Sequence, residues 1–520
     1  MECIITIELG TNAVRIFAFD PEGNIIGSMK GHYPTFHTQP DYSEQDPEQI
    51  FITMLHVLKN LLNEKIHPKK YHVARICFSA YMHSVLAIDK YGVPLGNAIT
   101  WADNRAKKEA NELKNSSDAK KIYTATGTPI HPMSPLLRIA WIKNNDGDKF
   151  KQTSKFLSLK SYIIQQLTGE YLIDYSLASA TGLLNIHTIK WEKDTLEYAG
   201  INADMLPDLV PVFASAGKLK KAYQNSLGLP ADTKIIVGSS DGCMATLGAG
   251  IWDEGKAVIT IEDSGAVRVV GKKVLQDEQQ RFFNYLLTED CYVSGGPTNN
   301  GGIIFEWFAN QFGDFKNPFD LEQSMEELIT EASKVPVGSD GLLFLPYLLG
   351  ERAPIWNANA RGMYFGLNIK HKRQHFIRAT VEGILYEIYS IGKILEEHRT
   401  IDSLSINGSF GSIPFCTQVI ADIFNKPVSL RQEYHSVASG TFLLSAMEMG
   451  IYKSLDEAAQ TVVLPDKYTP QKENHAVYSS YMNIFERLST KLFDEFEAIA
   501  TIQQTNAAEQ NINTDLAKTK

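Results

Sequence analysis

The sequence predicts an α/β protein built from two domains. Short runs of β-branched and apolar residues alternate with segments of helical spacing, the pattern of a sheet covered by helices. With 520 residues the chain exceeds the roughly 250–300 at which a single core stops growing. A hairpin-like segment near the N-terminus also recurs near the middle, as a duplicated architecture requires.

The elements follow in order. Ile4–Asp20 is two apolar runs around Gly10-Thr11-Asn12 and predicts a β-hairpin. Asp20-Pro21-Glu22-Gly23-Asn24 supplies the next turn, before Ile25-Ile26. Asp46-Pro47-Glu48 predicts a helix start, with proline at the favoured first position and Ile50, Phe51, Met54, Leu55 and Leu58 at helical spacing. Ala74–Phe78 reads as a strand. So does Ile235–Val237, which runs through Ser239-Ser240-Asp241-Gly242 into a helix-like segment, Cys243–Leu247. Thr260-Ile261-Glu262 and Ala266-Val267-Arg268-Val269 flank Asp263-Ser264-Gly265, echoing Thr6-Ile7-Glu8 and Ala13-Val14-Arg15-Ile16 around the first turn. The glycine-rich, charged stretch Gly248–Gly255 predicts the boundary. The expected domains are residues 1–249 and 250–495, with 496–520 a polar tail lacking fixed structure.

Composition narrows the function classes. Hydrophobic residues make up 44% and charged residues 21%, as in ordinary globular proteins. A net charge of −10 argues against nucleic-acid binding, which normally shows a basic excess. Cys3, Cys77, Cys243, Cys291 and Cys416 are few and scattered, which suits a reducing compartment and fits neither a disulfide framework nor a cysteine zinc site. No secretory signal and no apolar run of ~20 residues is found, so a cytoplasmic protein without membrane contact is expected.

The common phosphate motifs are missing. There is no G-x-x-x-x-G-K-[ST], His398-Arg399 is followed by Thr400 rather than Asp, and Gly248-Ala249-Gly250 lacks the third glycine of a dinucleotide fingerprint. Any phosphate must therefore be held by tight turns, whose exposed amides form anion-binding concavities. Gly10-Thr11-Asn12 and Gly295–Gly302, leading into a helix at Ile303–Phe308, offer such turns. Asp241 lies where a strand ends and a helix begins; it reads either as an N-capping residue or as an acid placed for chemistry.

Two longer stretches are more specific. Met133–Asn145, with Arg138 where the pattern has lysine, resembles the first signature of the FGGY carbohydrate kinases. Gly362-Met363-Tyr364-Phe365-Gly366-Leu367, continuing to His375-Phe376 and Ala379-Thr380-Val381-Glu382, resembles the second. Ile99–Arg105, Leu345–Pro354 and Ala421–Phe424 extend the match, which runs from Ile4 to about residue 490. The resemblance implies two actin-like, ribonuclease-H-like ATPase domains with an interdomain cleft, and phosphorylation of a small sugar or sugar acid by ATP and Mg²⁺. It assigns Asp241 as catalytic base and sugar ligand, and Met82, His83, Trp101, Asp103 and Arg105 to the sugar. Gly10, Thr11, Asn12, Ser264, Gly265, Gly301, Gly302, Gly408 and Ser409 are assigned to the nucleotide, and Glu8 and Asp241 to the metal. It leaves a homodimer open. Trp101-Ala102-Asp103-Asn104 and Ile130–Pro135 look most like the gluconate kinases, which makes D-gluconate the expected substrate. Xylulose or another pentulose is the alternative.

Besides Arg138, four sites depart from the pattern. Tyr81 stands where relatives commonly carry Gln; Glu8-Leu9-Gly10-Thr11 replaces Asp-x-Gly-Thr; Glu262-Asp263-Ser264 replaces Gly-Thr-Ser; and Gly408-Ser409-Phe410-Gly411-Ser412-Ile413 loses a glycine and displaces its serine. A carboxylate in place of a hydroxyl offers a phosphate no donor. The same fold could therefore serve as a catalytically impaired sugar or nucleotide sensor.

Overall fold

The computed structural model describes residues 1–39, 41–312, 321–430 and 435–503. The chain divides into two compact units, neither continuous in sequence. The first holds Met1–Glu254, Val269–Ser294 and His435–Val463; the second holds Gly255–Arg268, Gly295–Tyr434 and Leu464–Lys520.

In the first unit, β1 (Glu2–Leu9), β2 (Ala13–Phe19), β3 (Ile25–His32), β4 (His72–Ala80) and β5 (Lys234–Ser240) form a sheet in the order β5-β4-β1-β2-β3. β1 and β2 are the expected hairpin, with Ile7 opposite Ile16 and Glu8 opposite Arg15. β4 runs parallel to β1, and β5 parallel to β4. Strands β1 and β4 are nearly continuous in apolar residues, as strands covered on both faces are. One cover is the helix Pro47–Leu61, whose Ile50, Met54 and Leu58 join the core of Ile5, Ile7 and Ile76. Its first turn is held by Asp46, which accepts from the amides of Glu48 and Gln49 at 2.9 and 3.2 Å. Another is the helix Ser436–Glu448, whose Phe442 ring stacks 4.9 Å from that of Phe19.

Two glycine features shape the end of β5. Gly238 has φ +71°, and a Cβ there would lie 1.7 Å from the Phe78 carbonyl oxygen, so no other residue fits the register shift between Ile236 and Ser239. Beyond β5 the helix Asp241–Gly248 crosses Ser436–Glu448 at backbone contact. A Cβ on Gly248 would meet the Ser436 oxygen at 1.9 Å, and one on Gly440 the Met244 oxygen at 2.0 Å. Gly248, read from sequence as boundary punctuation, is thus a packing residue.

A second sheet includes β6 (Gly255–Ile261), β7 (Gly265–Gly271), β8 (Cys291–Thr298), β9 (Ile401–Asn407), β10 (Val428–Leu430) and β11 (Asp466–Tyr468) as neighbours in the order β8-β7-β6-β9-β10-β11. β6, β9 and β10 are parallel. The echoed hairpin is β6 and β7, turned at Glu262–Ser264, where the Glu262 amide donates to the Ser264 carbonyl at 2.9 Å. Residues 493–503 are helical, with Phe496 and Ala500 buried one turn apart and the Phe496 ring edge-on to Tyr347. Residues 496–503, expected to belong to a polar tail, are therefore helical, because these two apolar residues share one helix face; the rest of the expected tail, 504–520, lies outside the described residues. All five cysteines are buried.

Candidate active site

Parallel pairing brings three strand ends of the first unit to one edge. Ala80 at the end of β4 is opposite Leu9 of β1 and opposite Ser240 of β5. The residues that follow are Gly10-Thr11-Asn12 and Met82-His83 on turns and Asp241 at a helix start, so one sheet edge collects residues some 230 positions apart. Ligands of open α/β sheets bind outside such carboxyl ends.

Asp241 is the first residue of its helix but does not cap it. That role falls to Ser240, whose Oγ accepts from the Cys243 amide at 3.4 Å. The Asp241 carboxylate accepts from the Gly242 amide at 2.6 Å, half-buried at the positive end of the helix. Of the two sequence readings, the capping one is thereby set aside.

The segment expected to face the sugar is tied down more firmly than its motif suggests. The Trp101 indole N–H donates to Thr11 Oγ1 at 3.0 Å, joining it to the first hairpin turn. Asp103 is fully buried and accepts from the Ser43 amide (2.7 Å) and from Arg105 N, Nε and Nη2 (3.0, 2.9 and 2.7 Å). Both of its oxygens are engaged inside the protein. The expectation that Asp103 bonds a sugar hydroxyl is therefore replaced by an anchoring role. Arg105 also donates to Glu44 at 2.6 Å and lies 3.7 Å from the Tyr42 ring centroid, so its charge is neutralised locally.

His83 is buried at a left-handed φ of 66°, unusual for a non-glycine. Its Nδ1 lies 2.8 Å from the Ala180 carbonyl, an acceptor only, which places the proton on Nδ1 and leaves Nε2 an acceptor in the neutral ring. Tyr285 Oη is 3.5 Å from Nε2. Met82 is half-buried against the apolar cluster that includes Leu177, Leu184 and Ile186. Tyr81 is buried and donates to Gln45 at 2.7 Å; the Gln45 amide donates in turn to the Thr11 carbonyl at 2.5 Å.

One residue that sequence reading noted only as a departure holds the segment together. Arg138 is fully buried, donating from Nη1 to the His83 carbonyl at 2.6 Å and from Nη2 to the Asp103 carbonyl at 3.0 Å. Burial pushes its pKa down to about 9, which still leaves it charged at neutral pH. Its signal in the sequence was a cation inside the apolar run Leu136–Ile142. Lys160, Asp174 and Ser176 were missed outright, although Lys160 likewise interrupts an apolar helical stretch.

In the second unit the residues expected to meet the nucleotide converge on the end of β6. The Gly301 amide donates to the Asp263 carbonyl at 3.2 Å, and the Gly302 amide to the Glu262 carbonyl at 2.7 Å. A Cβ on Gly301 would lie 2.5 Å from the Ser264 backbone. These glycines allow the loop and the hairpin to touch, and their N–H groups are spent there rather than offered to a phosphate. Gly265 packs against Ile388. Gly408, at φ +94°, turns the chain after β9, and Ser409 Oγ donates to Glu262 Oε2 at 2.8 Å. The displaced serine and the unexpected carboxylate are thus partners.

Glu8 is paired with Arg15, Oε1 to Nη1, at 2.8 Å. Among the described residues no group of three or more His, Cys, Asp or Glu side chains is placed to hold a metal ion. Hard carboxylate oxygens such as those of Asp241 and Glu8 fit Mg²⁺, which usually takes one or two carboxylates and completes its shell with phosphate and water. No helix among the described residues is long and apolar enough to cross a membrane.

Comparison with known proteins shows the family and the fold. The model of the N-terminal domain of the FGGY family of carbohydrate kinases matches residues 3–248, and that of the C-terminal domain matches 257–449. The gluconokinase of Bacillus subtilis (strain 168) is 36% identical over 506 residues, covering 96% of this chain and 98% of its own. The crystal structure of gluconate kinase from Lactobacillus acidophilus superposes with a TM-score of 0.91 at 32% identity, covering 96% of this chain and 99% of that one. Ligand-bound xylulose kinase from the same organism gives 0.90 at 32%, covering 96% and 100%. Two hairpin-led α/β units, an aspartate at a strand end and matches along nearly the whole chain lead to one conclusion: this protein belongs to the FGGY family of carbohydrate kinases, phosphotransferases of the two-domain, actin-like α/β fold.

Proposed function

We propose that the protein transfers the γ-phosphoryl group of ATP to D-gluconate, forming 6-phosphogluconate and ADP, with Asp241 as general base. The observation that carries the reaction is the placement of Asp241 at the end of β5 with the capping role taken by Ser240. Asp241 accepts the proton of the attacking sugar hydroxyl as that hydroxyl's oxygen bonds to the γ-phosphorus and the bond from phosphorus to the β–γ bridging oxygen breaks, releasing ADP. In a loose transition state the rest is positioning and charge stabilisation. Mg²⁺, entering with ATP, would neutralise phosphate charge, with Asp241 and Glu8 supplying oxygens. Trp101 and the His83 loop position the sugar; Asp103, Arg105 and Arg138 hold those segments in place.

D-Gluconate is favoured by the Trp101–Asn104 and Ile130–Pro135 segments and by the B. subtilis gluconokinase. Xylulose is the second reading, supported by the comparably close L. acidophilus xylulose kinase. An ADP-release assay with gluconate, xylulose, ribulose and glycerol separates them. A kcat/KM at least about tenfold higher for gluconate is expected, one to two kcal/mol of transition-state preference. A preference for xylulose overturns the substrate assignment. Sugar binding without turnover on any of the four overturns the catalytic reading in favour of a sensor.

A further inference from the structure

A buried polar chain lies behind Asp241. Lys160 and Asp174 are 1% and 0% exposed, with Nζ 2.7 Å from Oδ2. The angle is poor for a hydrogen bond, so this is a charge contact; Nζ donates instead to the Ser239 carbonyl at 3.1 Å. Asp174 Oδ1 accepts from the amides of Ser176 and Leu177 at 3.1 and 3.2 Å, and from Ser176 Oγ at 2.5 Å. Ser176 Oγ is in turn 2.8 Å from Ser239 Oγ and accepts from the Ser240 amide at 2.8 Å.

The proton count fixes the direction of this chain. A carboxylate donates nothing, so the single hydroxyl proton of Ser176 goes to Asp174. The two lone pairs of Ser176 Oγ then take the Ser240 N–H and the Ser239 O–H. Three contacts of this chain therefore end on the two residues that precede Asp241: on the carbonyl and hydroxyl of Ser239, and on the amide of Ser240. The end of β5 needs such support, because the register shift at Gly238 interrupts its ladder to β4. Stability is a poor explanation for burying the ion pair, since the desolvation cost of such a pair often matches or exceeds its Coulombic gain.

We infer that Lys160, Asp174 and Ser176 are positioning residues for catalysis, which fix the Asp241 carboxylate against the reacting hydroxyl by holding Ser239 and Ser240. The inference rests on Asp241 being the base. Displacement of a catalytic group by about 1 Å costs on the order of 10² in rate. The effect should therefore appear in kcat with little change in either KM.

The test uses two independent perturbations of the full-length protein. Lys160→Met with Asp174→Asn removes both charges while keeping an amide oxygen for Ser176; Ser176→Ala keeps the charges and removes the hydroxyl. Each should lower kcat by roughly 10–100-fold, with KM for sugar and ATP within about threefold. Should the double variant not fold, Ser176→Ala alone decides. Both are repeated with Asp241→Asn, where no further loss is expected because there is no base left to misplace. The positioning role is overturned if kcat stays within threefold of wild type, or if the losses multiply in the Asp241→Asn background. If Asp241→Asn itself retains most of its turnover, the base assignment fails instead, so the two failures are distinguishable.

Discussion

Replacing Arg138 tests whether the loops proposed to face the sugar depend on one buried cation. Arg138→Met removes two hydrogen bonds and leaves the His83 and Asp103 carbonyls without their donors. Each unsatisfied buried group costs about 1–3 kcal/mol, while removing a buried charge returns part of that. A net loss of about 3 kcal/mol follows, or roughly 6–12 °C in Tm at ~2–4 °C per kcal/mol for units of this size. Arg138→Lys, which restores the residue of the family signature, can satisfy one carbonyl but cannot fork to two, so it should fall about midway. His83 is held at a strained φ of 66° partly by its carbonyl's bond to Arg138, so its loop should relax in the Met variant. KM for the sugar should then rise about tenfold or more, against a smaller change for ATP, since a misplaced binding group commonly costs that much. Thermal unfolding and steady-state kinetics at pH 7 measure both effects. A Tm within 2 °C of wild type together with an unchanged sugar KM would refute the reasoning.

Asp241→Asn should lower kcat by about 10²–10⁴ while sugar binding, followed by intrinsic fluorescence, persists; turnover above half of wild type rules out the base. Glu262→Gln keeps an acceptor for Ser409 but removes a charge, so KM for MgATP should fall by up to about fivefold, the worth of one solvent-screened charge contact. Ser409→Ala, which strips the carboxylate of its donor, should raise that KM, and no change in either variant removes Glu262 from the phosphate environment. Glu387 is fully buried; burial first, and then the neighbouring Glu351 charge, raise its pKa well above the usual carboxylate range. A carboxyl raised in the folded state loses stability as pH climbs from its unfolded value toward its folded one, at up to about 1.4 kcal/mol per pH unit. Glu387→Gln should therefore match wild type near pH 4.5 and exceed it increasingly toward alkaline pH; equal Tm differences at pH 5 and 8.5 would contradict this.

Much of the architecture was legible before any coordinates. The hairpin at Ile4–Asp20, its echo at Thr260–Val269, the Asp46-capped helix and the strand that delivers Asp241 are local features. Alternation, β-branching and capping chemistry act between residues a few positions apart, so they can be read along the chain. The two signature stretches brought the family within reach for the same reason. The satisfaction of polar groups is decided by residues far apart in sequence, and only the tertiary structure could settle it. Asp103 looked like a hydroxyl ligand until Ser43 and Arg105 were found to occupy its oxygens. Gly301 and Gly302 looked like phosphate donors until their amides were found on the carbonyls of Asp263 and Glu262. Glu262 looked like an uncompensated carboxylate until Ser409, 147 positions away, proved to be its donor. The helix Ser436–Glu448 returns to the first unit because Gly440 lets it reach the backbone of Asp241–Gly248, a contact no periodicity records. A sequence shows which donors and acceptors a chain owns, but a buried group has only the partners that packing brings within about 3 Å, and that distance exists only in the folded molecule.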